Sequence, residues 1–143
     1  MDSELVVEIV TQSGVEYEGP VEGVVAPGGL GYLGVRRGHA PLLTNLTTGV
    51  VTLHTPAGDE YAAVAGGVME VFDNRVMLLA DAAEMASEID IERAQQAMQR
   101  AKQRLETAYR GVERELIDAD RARLALARAL NRLHAAGKAG MLG

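Results

Sequence analysis

Cysteine is absent from this sequence, which removes disulfides, thiolate nucleophiles and cysteine-ligated zinc together. Tryptophan is absent too, and one phenylalanine and four tyrosines make up the whole aromatic complement. Any core is therefore built mainly from valine, leucine and alanine. No apolar run approaches the roughly 20 residues that a membrane-spanning helix needs. The opening MDSELVVEIV is acidic and then alternating, unlike a secretory signal or a transit peptide. Lysine is missing as far as Lys102, so no Schiff-base or phosphate-loop lysine is available in the first hundred residues.

What is present divides unevenly. The 143 residues allow one ordinary domain, or a compact domain with an appendage. Residues 1–86 carry 12 acidic side chains against three arginines, a formal −9, whereas residues 87–143 carry 11 basic against eight acidic, a formal +3. The shift near Ser87 marks a boundary between an acidic part, 1–86, and a basic part, 87–143. With a net charge of −6, nucleic acid is not an expected partner.

The acidic part reads as strands. Leu5–Val10 is β-branched and alternating, and similar short runs recur at 21–26, 50–55, 60–65, 67–72 and 75–80. Ser13-Gly14, Pro27-Gly28-Gly29, Pro56-Ala57-Gly58-Asp59 and Asp73-Asn74 punctuate them as turns. This spacing predicts a β-sandwich of about ten strands. The string Gly28–Gly34 is glycine-rich, but it lacks the Lys-Ser/Thr ending of a phosphate loop and reads as a turn and bulge. His39 and His54 stand alone, without metal-ligand spacing, and no nucleophile elbow is present. No enzyme is expected here.

The basic part is a duplication. Residues 89–108 and 117–136, offset by 28, share ten of twenty residues. Arg93, Arg100 and Arg104 recur as Arg121, Arg128 and Arg132. Ser87, with Asp90 three residues on, resembles a capping box opening the first helix. Ala94, Met98, Ala101 and Leu105, then Ala119, Ala122, Leu126, Ala129, Leu130 and Leu133, form stripes at helical spacing. Alanine buries little area, so such a hairpin is expected to be marginal by itself. Gly111 places the bend. Folding about it sets Arg93 level with Arg132, with Arg128 one turn away and Asp90 beside them. Three converging guanidiniums either hold an anion such as a polyphosphate or line a solvated face beside Glu92 and Glu106. Spacing alone leaves both open, as it leaves a simple coiled-coil connector.

The segment Gly38-His39-Ala40-Pro41-Leu42-Leu43-Thr44, with Leu33-Gly34-Val35 before it and Gly49 after, resembles the signature loop of the ε subunits of bacterial F-type ATP synthases. The likeness continues in order through Gly66–Val71, Val76–Asp81, Ala83-Glu84 and Ile89-Asp90, and so covers essentially the whole chain. It implies a non-catalytic central-stalk subunit whose ten-stranded sandwich packs on the γ subunit and the ring of c subunits, with Tyr32, Arg36, Arg37, His39 and Leu42 at the partner interface. Arg37 stands where the family often has proline, and Tyr32 where an acidic residue is frequent. The family further implies ATP as a regulatory ligand, bound through an Ile/Leu-Asp-x-x-Arg-Ala motif and two arginines of the second helix. Here these are Ile89, Asp90, Arg93 and Ala94, with Arg128 and Arg132, and Glu84 as a contributing acid. The hairpin would permit hydrolysis when closed on ATP, and would inhibit it when extended beside γ into the α and β subunits. The implied location is the cytoplasmic face of the bacterial plasma membrane, peripheral and without direct insertion. Two alternatives stand: the same subunit with a hairpin that ignores nucleotide, and an unrelated sandwich adaptor with a coiled-coil tail.

Overall fold

The computed structural model describes residues 4–109 and 116–141. Eight strands come first: β1 (Leu5–Thr11), β2 (Gly14–Val21), β3 (Gly23–Gly28), β4 (Gly31–Arg36), β5 (Leu42–Leu46), β6 (Gly49–Thr55), β7 (Gly58–Phe72) and β8 (Arg75–Met85). A 3-10 turn, Ala86–Glu88, leads into α1 (Ile91–Tyr109), and α2 (Leu116–Lys138) follows. The sandwich-plus-hairpin architecture is the expected one. The bend expected at Gly111 lies outside the described residues.

The structure has eight strands rather than about ten, and one pair of the runs read from the sequence fuses. Residues 60–65 and 67–72 form one strand, β7, bent at Gly66 and Gly67, whose φ angles are +71° and +121°. Before the bend β7 pairs with β6, from Gly58 to Val64; after it, with β5, from Gly67 to Val71. β8 stays paired to β7 on both sides of the bend. A single bent hairpin thereby serves both faces of the sandwich, which is how glycine kinks turn sheet corners. At Gly67 an added Cβ would lie 2.8 Å from the Ala80 Cα, so only glycine fits.

The glycine-rich string is not merely a turn. Gly28 pairs with Gly31 across a two-residue hairpin, and Gly31–Arg36 continue as strand β4. β-Propensity underrates such a strand because glycine has no side chain to pack. β2 and β5 were similarly hidden, by Gly14, Gly19 and Pro20 in one and by brevity in the other. Asp73 and Asn74 form the β7–β8 turn with φ of 49° and 60°, the left-handed pair that a tight hairpin requires.

Leu5, Val7 and Ile9 of β1, Met69 and Val71 of β7, and Val76 and Leu78 of β8 alternate inward and close one core with Val24, Val35, Val51 and Leu53. Their alternation is what fixes register, since a one-residue slip would turn all of them to solvent. The outward residues of β7 and β8 are unusually apolar: Val68, Phe72, Met77 and Leu79 are exposed.

The helices differ from expectation at their start. Ser87 lies in the 3-10 turn, closed by Ile89 N donating to Ala86 O at 3.2 Å. Asp90 caps α1 instead: the Arg93 amide donates to Asp90 Oδ1 at 3.1 Å and the Ala94 amide to Asp90 O at 3.0 Å. Burial of Ala86 and Ile89 against the sandwich holds the turn tight and delays the helix by three residues. Replacing Asp90 with alanine is expected to destabilise the docked hairpin by about 1 kcal/mol, read as faster amide hydrogen exchange in the first turns of α1. Equal protection in the variant would show that the cap is not needed.

Candidate functional site

α2, rather than α1, lies against β6 and β7. The seam is small and alanine-rich: Val50 and Ala63 of the sandwich and Ala86 and Ile89 of the turn meet Ala94, Ala135 and Ala136. Ala94 clustering with Ala135 and Ala136 sets the start of α1 level with the end of α2. Arg93 is therefore about one helical turn further along α2 than the equal-height estimate placed it. Of the expected stripe, Ala94, Ala101, Ala119, Ala122 and Ala129 are buried, whereas Leu130 is 45% exposed on the outer side of α2. Close approach at the alanines turns α2 so that bulky Leu130 is left outside.

Three polar side chains of α2 converge where β7 passes from β6 to β5. Arg132 grips Glu84 of β8 through Nε to Oε1 at 2.8 Å and one terminal nitrogen to Oε2 at 3.4 Å. The two side chains are 29% and 36% exposed. This two-point contact fixes orientation as well as charge, and at such exposure it contributes about 1 kcal/mol or less. Asn131 donates through Nδ2 to Gly49 O at 2.8 Å and to Val64 O at 3.3 Å. Arg128 completes the group, lining with Asn131 and Arg132 a cavity of about 70 Å³ floored by Ala63, Val64, Ala65 and Ala82.

The structure thus brings together Glu84, Arg128 and Arg132. Asp90 and Arg93 do not line that cavity. Asp90 Oδ1 is engaged as the cap, and Arg93 is exposed on α1. Ile89 and Ala94, 5% and 0% exposed, are packing residues of the seam. Neither the Arg93 nor the Arg128 guanidinium has an ion-pair partner among the described residues. Asn131 was not singled out from the sequence. Its signal was a lone asparagine inside an alanine-, leucine- and arginine-rich helix, where asparagine is a poor helix former unless its side chain has work elsewhere.

The signature loop is tied down locally. His39 donates its amide to Arg36 O at 3.1 Å, and its Nδ1 lies 2.7 Å from Ala40 O. The Gly38 amide donates to Asn74 Oδ1 at 2.7 Å, linking the loop to the β7–β8 turn. Arg36 and Arg37 line a groove of about 500 Å³ with Glu4, Glu22, Pro20 and Pro56. Leu42 is half-buried against the core. The Tyr32 ring is 61% exposed, yet its hydroxyl accepts the Val50 amide at 3.0 Å.

Comparison with known proteins fits this architecture part by part. Residues 4–86 match the family described as "ATP synthase, Delta/Epsilon chain, beta-sandwich domain". Residues 87–137 match "ATP synthase, Delta/Epsilon chain, long alpha-helix domain". The ATP synthase epsilon chain of Syntrophomonas wolfei is 42% identical over 138 residues, covering 96% of this chain and 97% of that one. That of Desulforamulus reducens is 47% identical over 131 residues, covering 90% and 94%. In a cryo-EM structure of the Euglena gracilis mitochondrial ATP synthase (OSCP, F1 and c-ring), one chain superimposes with a TM-score of 0.74 over 95% of this chain and 88% of its own. At 21% identity that likeness concerns the fold alone. Both domains and near full-length relatives agree, and the chain belongs to the ATP synthase delta/epsilon family, with the bacterial epsilon chains.

Proposed function

We propose that this non-catalytic subunit of the ATP synthase complex regulates ATP hydrolysis through its helical hairpin, and that ATP stabilises the docked form described above. What carries the reading is the set of guanidiniums left available by the fold. Arg128 and Arg93 lack a carboxylate partner among the described residues, and Arg132 is already aimed by Glu84. A polyphosphate would neutralise Arg128 and Arg132 and, from α1, Arg93, joining the two helices by charge-assisted contacts. Ile89, Ala94 and the Asp90 cap would act by placing the α1 backbone beside it. A ligand that binds only the docked form stabilises it by about 2.7 kcal/mol at 100 times its dissociation constant. The alanine seam is small enough for such a contribution to decide between docked and released.

As an epsilon chain, the protein would act in the rotor, with γ and the c ring as partners and with the α and β subunits as targets of the released helices. The exposed row Val68, Phe72, Met77 and Leu79 supplies the apolar sheet face that a permanent partner such as γ would cover. Leu30, Tyr32 and Leu43, at 107%, 61% and 69% exposure, supply apolar contacts for the ring, in addition to Arg36, Arg37 and His39. Among the described residues no helix is long and apolar enough to cross a membrane; attachment at the cytoplasmic face of the bacterial plasma membrane would come through the complex.

Titrating ATP into the purified chain in a calorimeter tests the ligand. Saturable heat at or below millimolar ATP is expected, together with slowed hydrogen exchange throughout α2. A second reading is favoured by one observation: the cavity of about 70 Å³ is several-fold smaller than the ~300 Å³ or more of a typical ligand pocket. In that reading the hairpin ignores nucleotide and is held by the alanine seam with the Asn131 and Glu84 contacts. Absence of ATP heat, with α2 protected, would establish it.

A further inference from the structure

The Tyr32 and Asn131 contacts meet on one chemical group. The N–H of Val50 and the C=O of Gly49 belong to the same peptide unit. Its N–H donates to Tyr32 Oη at 3.0 Å, and its C=O accepts from Asn131 Nδ2 at 2.8 Å. We propose that this peptide is a relay between the exposed Tyr32 and the hairpin: displacement of Tyr32 and release of α2 are coupled, each favouring the other.

The geometry gives the relay its parts. At the input, Tyr32 stands at the start of β4 opposite Pro27, beside the β3–β4 turn that carries fully exposed Leu30. With 61% of its surface exposed, the ring is placed less by burial than by its hydroxyl. Gly49 keeps the path open: an added Cβ there would lie 2.7 Å from Pro27 Cβ and would strike the Tyr32 hydroxyl. At the output, Gly49 is the register partner of Val64, the last β6–β7 pair before β7 bends away toward β5. Both carbonyls at this divergence take the Asn131 carboxamide as donor, so docking α2 ties the helix to the last rung of the β6–β7 ladder.

Coupling follows from the chemistry of the amide. A peptide whose carbonyl accepts a hydrogen bond polarises its own N–H and donates more strongly, and the reverse holds equally. Tilting the unit to follow a displaced Tyr32 also lengthens the Asn131 contact. Because the coupling is one free energy, it acts in both directions. A partner pressing on the Tyr32 ring would bias the hairpin, and the state of the hairpin would alter what that partner meets. This inference does not rest on nucleotide binding, and its test is made without nucleotide.

The measurement is amide hydrogen exchange across residues 122–136 of the full chain in nucleotide-free buffer, for Tyr32→Phe, Asn131→Ala and the double variant. Asn131→Ala is expected to speed exchange about tenfold, because α2 loses both of its hydrogen bonds to this rung of the sheet. Tyr32→Phe, which removes a hydroxyl that bonds the sheet peptide, is expected to speed it about threefold by weakening the relay. In the Asn131→Ala background, Tyr32→Phe should add less than about 1.5-fold, the sub-additivity of a shared path. Reciprocally, Asn131→Ala should shift the Val50 amide proton upfield in the NMR spectrum, as its bond to Tyr32 loosens. Gly49→Ala, which displaces Tyr32, should reproduce the Tyr32→Phe effect or exceed it. Unchanged α2 protection in Tyr32→Phe, or single effects that multiply in the double variant, would overturn the relay.

Discussion

Replacing Arg132 with alanine is expected to lower ATP affinity by at least about thirtyfold, and to loosen the hairpin even when no ATP is present. Losing a hydrogen bond to a charged group costs about 2 kcal/mol, which sets the affinity loss. The second effect arises because Arg132 already holds Glu84 at 2.8 Å, a bond between α2 and β8. Arg128 separates the two roles. It lines the same cavity but has no ion-pair partner among the described residues. Arg128→Ala should therefore weaken ATP binding while leaving nucleotide-free docking unchanged. Calorimetry gives the affinities, and hydrogen exchange of α2 without ligand gives the docking. If both alanine variants bind ATP as the parent does, nucleotide is not held by these arginines.

Gly67→Ala should have the largest effect on the fold. Two costs coincide there: a φ of +121° that side chains rarely adopt, and a Cβ that would lie 2.8 Å from the Ala80 Cα. The obstacle is backbone of the paired strand β8, which cannot rotate away. Strain of this kind together with overpacking is expected to destabilise the sandwich by about 4 kcal/mol. The unfolding midpoint should fall by roughly 15–30 °C for a domain of this size. Gly58→Ala is the matched control, with a φ of +129° but open space around its Cβ, and it should lose only a few degrees. Equal melting of the two variants would mean that β8 yields, and that the bend does not depend on glycine.

Several features were legible locally, and several were not, for reasons that differ. The alternation of Leu5, Val7 and Ile9 reads directly as a half-buried strand, and it is one. Asp73-Asn74 reads directly as a turn, and its left-handed angles agree. The bend at Gly66-Gly67 looked like a break between two strands. Sequence pattern cannot distinguish a gap from a corner when the neighbour strand, β8, runs through both halves. Ser87 looked like the better cap, since serine and the acids after it satisfy every local rule. Asp90 caps instead because burial of Ile89 in the seam holds the 3-10 turn. Here a tertiary contact overrides a local preference that differs little between Ser and Asp.

The candidate site divides in the same way. The repeat at offset 28, the sign change near Ser87 and the signature loop all lie in short windows. From these the sandwich, the paired helices and the family can be read, because helical spacing, strand alternation and charge are properties of neighbours along the chain. The choice among the arginines is not such a property. All six occupy equivalent places in the duplication, yet only Arg132 meets Glu84, 48 residues away, and only Arg128 joins it at the cavity. Asn131 meets a carbonyl 82 residues distant. Such contacts depend on which side of α2 the small alanines turn toward β6 and β7, and on where the β6–β7 ladder ends at the β7 bend. The sequence by itself determined that there is a basic hairpin on an acidic sandwich. Tertiary packing alone decided which of its side chains face the seam, because only packing breaks the symmetry that the repeat built in.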